Sequence, residues 1–219
     1  MKLLKSNSHV LCFMTLVQFS EFFFLNHTGL CSPLGCFNAY FGGIKTQNKS
    51  YFVCFVVFII LHQAAHSELQ NFYIKNLPLL VTRYSSKDKV VLTVYKYMLL
   101  VNLYVVFTTY VTYNIYIFVF YGLFEFNLVI IIKVFLLCIC LSQIFLLNLI
   151  VFPDYAIVIN ITETFVLFLT SHKLPCSLNI FPIPYAEITT VYFSISLLLL
   201  TQIILLFLTM STYKSKEFF

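Results

Sequence analysis

Leu128-Val-Ile-Ile-Ile-Lys-Val-Phe-Leu-Leu-Cys-Ile-Cys-Leu-Ser-Gln-Ile-Phe-Leu-Leu-Asn-Leu-Ile-Val-Phe152 decides the fold. Its one charge is Lys133, and Pro153 and Asp154 close it. At ~1.5 Å rise per residue, about 20 residues cross ~30 Å of hydrocarbon. The run therefore predicts a membrane-spanning helix. Working outward, Gly122, Glu125 and Asn127 mark a tight turn, preceded by an apolar run over 97–124. Downstream come a shorter run at 155–171, a Pro-bearing connection from His172 to Glu187, and a run at 188–210. Upstream stand a run at 51–66 and another at 10–25, joined by the Gly-, Asn- and Pro-rich segment Asn26 to Ser50. The expectation is an all-α, polytopic membrane helix bundle of about six spans, one transmembrane domain over 1–219, with a charged connection at 67–94.

Composition agrees. The 219 residues are 61% hydrophobic and 10% charged, with mean hydropathy +0.94. Soluble domains run near ~45–50% apolar and ~25% charged, so this chain has no polar coat and no length left for a soluble catalytic domain. The net charge is +5, without the Lys and Arg cluster on one face that nucleic-acid binding requires. The first run follows Lys2 and Lys5 but lacks a small-x-small cleavage site, so it reads as an uncleaved span. The positive-inside bias sets orientation. With the N-terminus inside, Lys2, Lys5, Lys75, Arg83, Lys87, Lys89, Lys96, Lys214 and Lys216 are cytoplasmic, against Lys45, Lys49 and Lys173 outside. Both termini are thus expected in the cytoplasm. Cys12, Cys54, Cys138 and Cys140 lie in apolar runs; Cys31, Cys36 and Cys176 lie in connections, where a disulfide among them requires an oxidising compartment. Absence of Trp beside 26 Phe and 15 Tyr points to an AT-rich coding genome.

Three constellations could carry chemistry. His62 and His66 stand four apart, so on a helix both rings share a face and are weak metal candidates. Gln63 occupies the place where a zinc protease carries its Glu base, and an amide cannot take a proton from bound water. The plainer reading is a pair of interfacial histidines. Ionisable groups at membrane depth cost at least ~2.5 kcal/mol each. Glu21, Lys133 and Glu163 should therefore point inward, with Glu21 and Lys133 as the expected ion pair. Asn102, Thr109, Thr112 and Tyr116 gather along one side of the third run, and Asn160 stands beside Glu163 in the fifth. These six polar positions, from Asn102 to Glu163, are candidates for a substrate path, or else for helix-helix contacts. No phosphate loop, Walker motif or nucleophile elbow occurs, so if energy is consumed another chain supplies it.

Within 67–94 an apolar segment containing Leu77, Leu79 and Leu80 runs into Arg83-Tyr84-Ser85-Ser86-Lys87, followed by Lys89. Such a segment can lie along the interface and offer its polar end to a cytoplasmic partner. Here the chain resembles small six-span permease subunits of type-2 ABC exporters of bacteriocin and modified-peptide systems in low-GC Gram-positive bacteria. In that family an Arg-aromatic-x-Ser-basic element precedes the third span; Val90 stands where a further aromatic residue is expected. The resemblance implies that Leu77, Leu79, Leu80, Arg83, Tyr84, Lys87 and Lys89 seat on a separate ATP-binding subunit, which carries the ATP and Mg. It also implies a second permease copy or paralogue in a bacterial plasma membrane. The cargo would be a hydrophobic peptide or lipid-like molecule, held by apolar burial at ~25 cal/mol/Å². The competing expectation is a structural subunit of a large complex, for instance in a mitochondrial inner membrane.

Overall fold

The computed structural model describes residues 8–27, 56–66, 87–171 and 188–215, and every regular element among them is an α-helix. In chain order these are α1 (Ser8–His27), α2 (Val56–His66), α3 (Lys87–Tyr121), α4 (Leu128–Val151), α5 (Ala156–Ser171) and α6 (Ile188–Ser215). By length and composition α3, α4 and α6 can each cross a membrane; α2 and α5 are shorter apolar helices. Among the described residues the chain is all-helical, with three helices long and apolar enough to span a membrane.

The charged connection is shorter than its hydropathy implies, because α3 begins at Lys87 rather than near Tyr97. Lys87, Asp88 and Lys89 depress the local average and hide an apolar face behind them. Val90, Val91, Val94 and Met98 are buried at helical spacing, against Phe145, Leu146, Leu149 and Ile150 of α4 and Tyr213 of α6. At ~1.5 Å per residue, the 35-residue α3 measures about 52 Å, more than the hydrocarbon is thick.

Local chemistry ends α3 and starts α4. Gly122 adopts φ 64°, a left-handed conformation that costs L side chains ~1–2 kcal/mol, and its N–H still reaches Phe118 O at 2.9 Å. Glu125 is clamped back onto α3: Tyr113 donates to its carboxylate, Tyr110 donates to its carbonyl, and Asn114 Oδ1 accepts its N–H. Asn127 then caps α4, its side chain accepting from Ile130 N at 3.1 Å.

Helix α4 lies at the centre, packed against α3, α5 and α6, while α1 packs on α3. Of the apolar windows, 61% of α4 is buried and 11% of α6, so most of α6 meets the surroundings. Phe22, Phe58, Tyr113, Tyr116 and Leu137 fill the main core. Outside stand Phe118, Phe124, Ile203 and Phe207, the last 73% exposed, while Gln18, Asn102, Thr109 and Ser142 are fully buried. Lipid imposes this inversion. An aliphatic side chain gains little by leaving hydrocarbon, whereas a polar group left there has no partner. Polar bonds accordingly tie the helix pairs. Gln18 Nε2 donates to Thr109 Oγ1 at 2.7 Å, Gln202 Nε2 to Leu136 O at 3.0 Å, and Asn148 Nδ2 to Glu163 Oε2 at 2.5 Å.

Candidate functional site

The densest polar constellation among the described residues joins α2, α3 and α4. The four-residue spacing on α2 puts His62 and His66 one above the other, ring centroids 4.5 Å apart. Asn102 enters from α3 and Ser142 from α4. All four are essentially sealed, at 2% exposure for His62 and 0% for the others.

Ser142 is the hub. Its Oγ lies 3.0 Å from His66 Nε2 and 3.3 Å from His62 Nε2, accepts from Asn102 Nδ2 at 2.9 Å, and lies 3.1 Å from Asn102 Oδ1. It also reaches Cys138 O, one turn earlier on α4, at 2.9 Å. His62 Nε2 is 3.2 Å from Asn102 Oδ1. The tautomers follow from the partners. His66 Nδ1 is 2.8 Å from His62 O, and a carbonyl only accepts, so Nδ1 carries the proton and Nε2 offers a lone pair. Ser142 then donates to His66 Nε2, and His62 Nε2 donates to Asn102 Oδ1. Phe58 and Phe145 pack against the two rings.

Both rings are inside the bundle, bonded to groups from the apolar stretches of α3 and α4. Among the described residues no group of three or more His, Cys, Asp or Glu side chains is placed to hold an ion. Glu68, the carboxylate nearest in sequence, lies outside the described residues. The remaining donors, a hydroxyl and an amide, bring no negative charge to offset a divalent ion in a sealed site.

The candidate path residues are dispersed. Asn102 belongs to the histidine network, and Thr109 holds Gln18 of α1. Tyr116 is buried against Phe19, centroids 5.8 Å apart, and Phe22. Asn160 is fully buried, with no hydrogen-bond partner for either amide atom. Glu163 accepts from Asn148. Thr112 lines an open groove of about 400 Å³ between α1 and α3, with Thr15, Leu16, Phe19, Phe107, Thr108, Val111 and Ile115; the other five do not line it. The Thr108 and Thr112 hydroxyls are spent on Tyr104 O and Thr108 O of their own helix, so the groove presents a mainly apolar wall.

Glu21 Oε2 is buried and accepts no hydrogen bond, so the expected pairing with Lys133 is not made through that atom. Of the candidate partner-binding residues, Leu77, Leu79, Leu80, Arg83 and Tyr84 lie outside the described residues, as do Cys31, Cys36 and Cys176. Lys87 and Lys89 open α3, with Lys89 exposed. Cys138 and Cys140 are buried free thiols. Sequence reasoning singled out His62 and His66 as a pair and Asn102 apart from them, and missed Ser142. The available signal was its spacing: it is the one hydroxyl in the run from Leu128 to Phe152. Against family models, curated proteins and solved structures, the chain gives no match.

Proposed function

We propose that the chain is the membrane-spanning permease subunit of an ABC exporter. It would cross the membrane six times with both termini in the cytoplasm. A separate ATPase would supply the ATP hydrolysis and engage residues 67–94; a second permease copy or paralogue would complete the path in a bacterial plasma membrane. The supporting observation is the continuity of α3. In sequence the basic element Arg83 to Lys87 adjoins a helix that is unbroken from Lys87 to Tyr121 and whose first turns are packed into the core. A displacement of that element by a partner would move a rod that bears one wall of the α1–α3 groove and one member of the histidine network. An apolar groove with self-satisfied hydroxyls suits a hydrophobic peptide or lipid-like cargo better than a charged one. In this reading the chain carries no covalent chemistry; it binds, encloses and releases.

The test is the double substitution Arg83→Glu, Lys87→Glu. It should abolish co-purification with an ATPase and reduce export at least ~10-fold while membrane insertion stays normal. Unchanged co-purification and unchanged export would overturn the assignment. The outer face of α6, mostly uncovered by this chain, also suits a structural subunit of a larger complex. Gentle extraction followed by mass spectrometry separates the two: an ATP-binding-cassette partner supports the exporter, a multi-subunit assembly without one supports the complex.

A further inference from the structure

The Ser142 hydroxyl has one proton and three acceptors in reach: His66 Nε2 at 3.0 Å, Asn102 Oδ1 at 3.1 Å and Cys138 O at 2.9 Å. With both imidazoles neutral the network closes on itself. His66 Nδ1 donates to His62 O, Ser142 to His66 Nε2, His62 Nε2 to Asn102 Oδ1, and Asn102 Nδ2 to Ser142 Oγ. A proton arriving at His66 Nε2 reverses one bond: that nitrogen becomes a donor and the hydroxyl turns to Cys138 O. Hydrogen bonding therefore accommodates a proton. Charge does not, because among the described residues no carboxylate is bonded to any of the four side chains and the second ring is only 4.5 Å away.

The surroundings offer no relief among the described residues. Tyr97 of α3 and Val17 of α1 pack near Leu61 and Ala65 of α2, and Cys138 stands one turn from Ser142. The charged side chains on the neighbouring helices, Glu21 on α1, Lys89 and Lys96 on α3, and Lys133 on α4, make no bond to the network. α2 is short, and its C-terminal turn is held by this network as well as by apolar contact. We propose that His62 and His66 form a proton-operated latch: neutral, the pair fastens α2 to α3 and α4, and protonation releases α2. The latch is independent of any ATPase and stands or falls apart from the exporter reading.

The full chain in detergent micelles would be melted by helical circular dichroism at about pH 7.5 and about pH 5, either side of the ordinary imidazole value of ~6.5. The wild type should melt several degrees lower in acid, and the His62→Asn, His66→Gln double variant should show no such difference. A wild type indifferent to pH, or a variant with the wild-type dependence, overturns the latch. Should the variant not fold, hydrogen exchange on the wild type decides. After correction for intrinsic rates, acid should raise exchange over 56–66 about 10-fold more than over α4. Equal increases would refute it.

Discussion

Ser142 shows how much one hydroxyl can organise where no water competes. Its Oγ serves two imidazoles, an amide and a carbonyl from three helices. Interhelical hydrogen bonds in bilayers average about 0.6 kcal/mol, with maxima near ~1.7 kcal/mol. Ser142→Ala leaves His66 Nε2 and Asn102 Nδ2 without their partner, so the fold should lose about 1–2 kcal/mol in reversible unfolding from micelles. Ser196 is the control: among the described residues its hydroxyl reaches Tyr192 O of its own helix, on an exposed face. Ser196→Ala should fall within about 0.5 kcal/mol of the wild type. Equal losses for the two would mean that the hub contributes no more than an ordinary helical serine. Asn160 is the opposite case, an amide buried without partners. Such a group costs ~1–3 kcal/mol, so Asn160→Leu should leave stability unchanged or raise it in the same assay.

Among the elements, the α3–α4 turn is the most tightly specified. A Cβ on Gly122 would meet nothing within 4 Å, so Gly122→Ala tests backbone conformation alone. The expected cost is about 1–2 kcal/mol, the penalty for an L residue in the left-handed region. Removing the helix cap by Asn127→Ala should cost about 0.5–2 kcal/mol through the lost bond to Ile130 N. Thermal melts of the two variants check both figures, and a Gly122→Ala protein as stable as the wild type would contradict the first. Helix α3 illustrates what an averaged pattern conceals. Charges at Lys87, Asp88 and Lys89 read as loop, yet Val90, Val91 and Val94 stand on one buried face, so the helix extends into the segment that hydropathy assigned to a connection.

At the scale of the whole molecule, the proposed topology is open to direct test. Alkaline phosphatase fused after Ser50 should be active, and green fluorescent protein fused after Lys216 should fluoresce, if the N-terminus and the tail share the cytoplasm. An inactive phosphatase fusion with a fluorescent tail would remove the first crossing from the scheme. The sequence alone marked this polypeptide as helical and apolar enough to span a membrane. Apolar runs that long leave the backbone no other way to satisfy its hydrogen bonds, and the rule needs no knowledge of neighbours. It also marked the turn at Gly122 and Asn127, where one glycine and one capping amide act locally. The histidine network was legible only in fragments: His62 and His66 by spacing, Asn102 by polarity, Ser142 not at all. Which polar groups meet depends on how α2, α3 and α4 are rotated about their axes. That rotation is set by side-chain packing and by bonds between residues 40 to 80 positions apart, which only the tertiary structure decides.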